Sequence, residues 1–452
     1  MNLLFISIDS LRADFALRTP ESTVTMPFLS SISDQLTTFA NAISPSTWTL
    51  PVHGSIFTGL YPPEHGVRDK GDQLGATRTL AQKFDAMGYD TVSYAGNGWL
   101  NTGEILRGFD HHHITPPWSR HWVDKTIQGI KNKRISEIRE GITNLSRSPI
   151  EISRDYLLRN NLHDTRIVRR YSDHLSRSEQ PFFHFIHLNG VHNPYTPHIN
   201  HYKKFGQCSY SELKDAIAYQ NKLINDRPLL AAEKKQFDTK YTQIIQELYC
   251  GTIYRADRNI KLIIEQLRDK GCLGETVIII FGDHGDHLGE GNLWGHQFSV
   301  QDEIIRVPLF IIDPLDKFNN TQRDDIVQLN DLYPTVLDIV GADYSNSHSY
   351  SLQEENRETA FTYYSTPNSY LNRIKQNHSI ELDDLPPVKQ FAAWRDNSTR
   401  GTWYPDAEHD EGDPSLRGIL KKHHGNLDRI ETVESKTLDR QTKRNLKDMG
   451  YL

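Results

Sequence analysis

The sequence predicts an α/β protein: a three-layer sandwich with a mostly parallel central sheet, followed by a small C-terminal α+β subdomain. Three observations carry this. Over residues 1–345, apolar runs of strand length alternate with stretches of helical periodicity, the pattern that buries a parallel sheet between two layers of helices. The runs are apolar throughout rather than alternating, as strands covered on both faces are. Beyond residue 345 the pattern changes to short β-rich segments separated by turn residues.

In chain order, "NLLFISID" reads as a buried first strand ending in Asp9. Residues 44–66, "SPSTWTLPVHGSIFTGLYPPEHG", read as a loop turning into a short helix closed by Gly59. Thr49 stands where a helix cap belongs, so its hydroxyl has either a capping role or a chemical one. "TRTLAQKFDAMGYDTVSYAG" reads as a helix stopped by Gly88, then a strand from about Thr91. "PFFHFIHLNG" is a further strand, and "YCGTIYRADRNIKLIIEQLRDKG" an amphipathic helix closed by Gly271. "ETVIIIFGDHGD" and "RVPLFIID" read as strands, and "LNDLYPTVLDIVG" as a short helix ending at Gly341. Residues 117–178 form a polar helical insertion with a surplus of about six basic residues, a solvated face or a wall beside an anionic substrate. Residues 198–240 are a second polar insertion. In the subdomain, residues 346–452, "ETAFTYYST" and "KQFAAWRDNSTRGTWYP" read as antiparallel strands, and "TKRNLKDMGYL" as a terminal helix.

With 37% hydrophobic and 24% charged residues the chain can bury a substantial core. A net charge of -7 gives no general attraction to nucleic acid or anionic membranes. No apolar run is long enough to cross a bilayer, so no membrane anchor is expected. The apolar start is short and runs straight into charged residues, unlike a secretory leader. Three scattered cysteines, Cys208, Cys250 and Cys272, suggest no disulfide framework. These features point to the cytoplasm and leave the oligomeric state open.

In a parallel sheet covered by helices, sites form beyond the carboxyl ends of the strands. Asp9, Asp283 and His284 all stand at such ends. Carboxylates with one imidazole suit Zn, Mn, Mg or Ca. Any one of these residues alone would read as a turn or cap; together at the mouths of one sheet they suggest a metal site. His53, four residues after Thr49, shares its helix face and is placed to reach substrate or Thr49, or to serve the core. His65 reads as structural, and His287 and Glu290 as neighbours of the site. In the run His111–His113 consecutive side chains diverge, which argues against one three-His site.

The motifs "ISIDSLRAD", "FANAISPSTWTLPVHGSIFTGLYPPEHGVRDKG", "TLAQKFDAMGYDTVSYAG", "RGFD", "HLNGVHNPY", "IIIFGDHGDHLGEGNLWGHQ", "IRVPLFI" and "DLYPTVLDIVG" stand in order over most of residues 1–345. As a set they resemble the sulfatase branch of the alkaline phosphatase superfamily. The resemblance implies an alkaline phosphatase-like sandwich and a metal-dependent ester hydrolase. It assigns Asp9, Asp283 and His284 as metal ligands and places Thr49 at the nucleophile position, where it would also touch the metal. It aligns His192 with a histidine that contacts the substrate anion or leaving group. His296 falls where many members keep a lysine, and Asn97 near a lost lysine of "GNGWL".

The departures are informative. Sulfatases proper carry Cys or Ser within Cys/Ser-x-Pro-Ser/Ala-Arg and convert it to formylglycine. Here the pentapeptide is Thr49-Leu50-Pro51-Val52-His53, so no formylglycine is expected. Phosphodiesterase and phosphoglycol-transferase relatives use Thr, and a metal lowers the pKa of such a hydroxyl. The expectation is a hydrolase of a sulfate or phosphate ester that passes through a covalent Thr49 intermediate. His192 and His296 would move protons, and His53 and Asn97 would help hold the substrate. One divalent ion is expected, a second requiring further ligands. The partner is a small anionic ester, carbohydrate-linked in one reading. A transferase using the same Thr and a non-catalytic anion-binding relative are the alternatives.

Overall fold

The computed structural model describes residues 1–114, 163–179, 181–234, 236–318, 321–345, 348–353, 357–396 and 398–430. The main sheet is built from β1 (Asn2–Ile8), β2 (Leu36–Ile43), β3 (Asp90–Ala95), β4 (His111–Ile114), β5 (Phe182–Leu188), β6 (Thr276–Gly282), β9 (Arg306–Ile312) and β10 (Gln322–Gln328). Among the described residues these eight strands lie in the order β10-β2-β9-β6-β1-β5-β3-β4. Seven run one way, and β9 alone is antiparallel to both neighbours. A two-stranded ribbon, β7 (His287–Leu288) and β8 (Trp294–Gly295), follows β6.

Alternation along β1 sends successive side chains to opposite faces. Leu4, Ile6 and Ile8 face one helical layer, and Leu3 and Phe5 the other. The first layer holds α3 (His163–Leu175) and the 31-residue α5 (Thr239–Asp269), whose Ile253, Ile260 and Ile264 are buried. The second holds α1 (Thr49–Thr58), α2 (Leu80–Ala86) and α6 (Leu332–Ile339), with Leu50, Ile56, Phe57 and Val336 buried. Burying each such side chain contributes about 1.5–3 kcal/mol. Both faces of the sheet are therefore covered, which is why its central strands β1 and β6 carry long apolar runs.

Register positions the functional end. Ile8 pairs with Leu188 on one side and Gly282 on the other, so Asp9 and Asp283 leave the sheet at the same height.

A four-stranded antiparallel sheet, β11 (Ala360–Ser365), β12 (Lys389–Trp394), β13 (Arg400–Trp403) and β14 (Glu411–Gly412), forms the C-terminal subdomain. Leu416 and Leu420 of α7 (Pro414–Asn426) pack on one face of it. Tyr364 and Trp394 pack against Ile43, Ile304 and Ile305 of the main body.

The strands expected from apolar runs form, as do the antiparallel strands of the C-terminal region. Three strands of the main sheet went unread: β10, whose residues are largely polar, β2, whose apolar residues are interrupted by Thr37, Thr38 and Asn41, and β4, which is mostly histidine. His113 stacks on Tyr94 of the neighbouring strand, and among the described residues no cluster of metal-ligating atoms includes His111, His112 or His113. The polar insertion contains the helix α4 (Tyr210–Asn225), opened by a Ser209–Glu212 capping box. Most of the basic insertion, residues 117–162, and the terminal stretch 442–452 lie outside the described residues. No helix among the described residues is long and apolar enough to cross a membrane.

Candidate active site

The site is a buried cluster of side chains beyond the ends of β1, β3, β5 and β6, with the first turn of α1 on one side. Asp9 follows β1 and is fully buried. Its Oδ2 accepts from Asn97 Nδ2 at 3.0 Å and lies 3.7 Å from His187 Nε2. Asp283 follows β6; its Oδ1 accepts from the backbone N–H groups of Ser10 at 3.1 Å and His284 at 2.8 Å. His284 donates from Nδ1 to the Gly285 carbonyl at 3.0 Å. In the neutral ring that bond leaves Nε2 its lone pair, and Nε2 faces Thr49 Oγ1 at 3.4 Å, Asp9 Oδ1 at 3.5 Å and Asp283 Oδ1 at 3.8 Å. Gly285 is obligatory here, because a Cβ would collide with the Glu303 carbonyl oxygen.

Thr49 is the first residue of α1, and the preceding Trp48 takes the cap position with extended backbone and no side-chain cap bond. The Thr49 hydroxyl instead accepts from Asn97 Nδ2 at 3.1 Å and faces His284. The capping role is therefore excluded. Gly59, at φ 74°, ends the helix as its sequence suggests.

The electrostatics of the pocket are unbalanced. Burial, then the charge on Asp283, raises the pKa of Asp9. Burial would raise Asp283 too, but His284, His187 and His53 outweigh it and hold that carboxyl down. Burial would lower His284, yet Asp283 and Asp9 raise it. Asp283 Oδ2 and both ring nitrogens of His187 are buried without a hydrogen-bond partner. Ligand atoms of Asp9, Asp283 and His284 lie within 4.8 Å of one another, as do those of His53, His187 and Asp283. Two carboxylates, a lone-pair imidazole and unpartnered buried atoms are the donor set of a divalent cation, which would cancel the repulsion between the acids.

A second group lines the adjacent wall. His296 Nδ1 lies 2.9 Å from Asp286 Oδ1, and the other oxygen of Asp286 accepts from Asn193 Nδ2 at 2.9 Å and Tyr195 OH at 2.7 Å. Burial would raise Asp286, but His296 outweighs it and keeps it ionised. Burial lowers His296 to about 4, so its ring is neutral, with Nδ1–H donated to Asp286. Its ring centroid is 4.6 Å from that of His284 and 5.7 Å from that of His192.

A family model described as Sulfatase matches residues 1–342. The chain belongs to the sulfatase family. Members are metal-dependent ester hydrolases. This sulfatase-family chain is 24% identical over 358 residues to an arylsulfatase of Clostridium perfringens, an alignment spanning 75% of the chain and 74% of that protein. It is 26% identical over 334 residues to the human N-acetylglucosamine-6-sulfatase, covering 69% of the chain and 56% of that protein. The solved phosphonate monoester hydrolase of Agrobacterium radiobacter superposes with a TM-score of 0.70 at 18% identity, over 94% of each chain, and shares the alkaline phosphatase-like sandwich.

In this sulfatase-family chain the structure brings Asp9, Thr49, Asn97, Asp283 and His284 into one contact network. It sets His192 and His296 together beside it. His53 lies behind Thr49, fully buried, with Nδ1 donating to the Thr49 carbonyl at 2.8 Å and standing 3.9 Å from Asp283 Oδ2, and Nε2 3.0 Å from Ser7 Oγ. Both nitrogens are engaged with protein, so His53 ties α1 to β1. His65 braces the same helix through Ser55 Oγ at 3.1 Å. Both ring nitrogens of His287 lie buried without a hydrogen-bond partner, Nδ1 standing 3.9 Å from Glu290, which binds Arg12 at 2.6 Å. Sequence reasoning missed His187 and Asp286. His187 is the penultimate residue of β5, level with Ser7, and the strand-end rule that found Asp9 would have found it. Asp286 stands three residues after Asp283.

Proposed function

We propose that this protein is a metal-dependent hydrolase of sulfate or phosphate esters that uses the Thr49 hydroxyl as nucleophile. The observation that supports it most is the Thr49 hydroxyl itself: it is withheld from capping and faces His284 and Asn97 beside two buried carboxylates. Asp9, Asp283, His284 and Thr49 would hold the divalent ion, Ca, Mn, Zn or Mg, with His187 as a further ligand. When bound it would supply Lewis-acid polarisation and lower the pKa of the hydroxyl.

The chain's own groups do the rest. Asn97 fixes the Thr49 oxygen by donating to it, and α1 directs its free N–H groups at a bound anion. As Thr49 Oγ forms a bond to the phosphorus or sulfur its proton passes to His296 Nε2, the ester oxygen departs, and His192 gives that oxygen its proton. Water then attacks the same centre and gives its proton to His192, while the Thr49 oxygen leaves and takes its proton back from His296. Asp286 holds His296 in the tautomer that leaves Nε2 basic. The Thr nucleophile favours phosphoryl transfer, and the family match favours sulfate.

A cavity of about 480 Å³ opens beside the start of α1, with Trp48, Pro51, Phe391, Trp403, Arg68 and Arg429 in its wall. Flat apolar faces with cations suit an anionic ester on a sugar ring, a class in keeping with the N-acetylglucosamine-6-sulfatase relative. In this reading residues 1–345 are catalytic, the C-terminal subdomain lends Phe391 and Trp403 to the pocket, and the unpaired Cys208, Cys250 and Cys272 suit the cytoplasm. The test is turnover of aryl sulfate, aryl phosphate monoester and diester by metal-stripped protein reloaded with each cation. Hydrolysis dependent on metal supports the reading. Products diverted to an added alcohol would make the protein a transferase, and tight anion binding without turnover would overturn catalysis.

A further inference from the structure

At the opposite end of the sheet a second set of ligating groups converges, unconnected with ester chemistry. Asp90 opens β3, His184 stands on β5, and His174 lies in the last turn of α3. β3 and β5 are parallel neighbours, and His184 precedes His187 by three residues, about 10 Å along the strand. The odd offset sends the two side chains to opposite faces. His187 joins the active site, whereas His184 turns to α3.

Asp90 Oδ2 lies 3.5 Å from His184 Nε2 and 3.6 Å from His174 Nε2. Ligand atoms of all three residues fall within 4.8 Å of one another. These separations are long for hydrogen bonds, which close at about 2.7–3.2 Å. They match the edge of a tetrahedron around zinc, about 3.4 Å for bonds near 2.05 Å. Both Nε2 atoms are buried and have no hydrogen-bond partner. His184 is fully buried and Asp90 and His174 are about one-fifth exposed, which leaves a fourth position open to water. The neighbouring cation, Lys270, is bonded to the carbonyls of Leu175 and Ser178 at the end of α3.

The outer contacts suit a metal too. Tyr171 OH lies 3.3 Å from His184 Nδ1, so that nitrogen can donate to the phenol oxygen and leave Nε2 its lone pair. Burial lowers His184 to about 4, which keeps it in the neutral form a metal takes. On this geometry we propose that Asp90, His174 and His184 form a Zn²⁺ site, with water in the fourth position, that ties α3 to β3 and β5. Two neutral imidazoles and one carboxylate leave the ion a single positive charge, tolerable at a site with partial access to water. A His₂-carboxylate set favours zinc over calcium or magnesium, which prefer oxygen ligands.

The test counts zinc. The full chain is stripped with a chelator, reloaded with ZnCl₂, dialysed and analysed for bound metal, alongside His174→Ala and Asp90→Asn. Circular dichroism confirms that each variant is folded. The wild type should retain one more ion per chain than either variant, and Zn²⁺ should raise its Tm by more than theirs. Asp283→Asn should lose the active-site ion and keep this one, so the site can fail independently of the hydrolase reading. Equal zinc content and equal thermal shifts in the wild type, His174→Ala and Asp90→Asn would overturn the proposal.

Discussion

Thr49→Ala separates chemistry from stability. The substitution removes a hydroxyl with one clear hydrogen bond, 3.1 Å from Asn97 Nδ2. Asn97 keeps its other acceptor, Asp9 Oδ2. The lost bond is worth about 1 kcal/mol, and the buried methyl about another. No cap is lost, because Trp48 holds that position without a side-chain bond. The folded state should therefore weaken by about 1–2 kcal/mol, and the carboxylates and His284 should still bind the cation. Removing a nucleophile costs on the order of 10⁴–10⁶ in rate, or about 5–8 kcal/mol of barrier. The kinetic effect exceeds the stability effect several-fold, so unfolding cannot account for it. The assay is kcat/KM on the best ester at matched metal content, with urea unfolding on the same preparations. Thr49→Ser should keep most activity. Quenching wild-type turnover in acid should leave a phospho or sulfo group on the peptide containing residue 49. Thr49→Ala turning over at the wild-type rate with full metal content would refute the reasoning.

Asp283→Asn should weaken metal binding by at least about tenfold, since it removes an ionised ligand between His187 and His284; titration with a competing chelator measures this. Asp286→Asn should lower kcat by about 10²–10⁴, as loss of the acceptor lets the His296 tautomer exchange. Because Asp286 also supports the charged form of His296, the acid limb of kcat/KM, near pH 4 in the wild type, should move lower in this variant. His53 and His65 are both lowered to about 3 by burial. Between that value and about 6.5 the unfolded chain binds protons that the folded chain refuses. Stability should therefore be full above about pH 6.5 and fall steadily toward pH 3, read as Tm across a pH series.

The sequence by itself determined the sandwich, the family and a short roster of reactive residues. Strands buried on both faces are apolar throughout, so β1, β5, β6 and β9 announce themselves. β10 does not, because most of its residues are polar, nor does β2, whose apolar residues are broken by Thr37, Thr38 and Asn41, and the reversal of β9 leaves no mark in its composition. Asp9, Thr49, Asp283 and His284 could be named because strand ends and helix starts are local features. What only the tertiary structure decided is where each side chain points. It turned the Thr49 hydroxyl from the helix backbone toward His284, and it sealed His53 between Thr49 and Ser7. It also drew His187 and Asp286 into the site and sent His184 to the far end of the sheet. Those outcomes depend on register and on the packing of α1 and α3 against the sheet, contacts between residues far apart in sequence, and a single chain read in order carries no direct record of them.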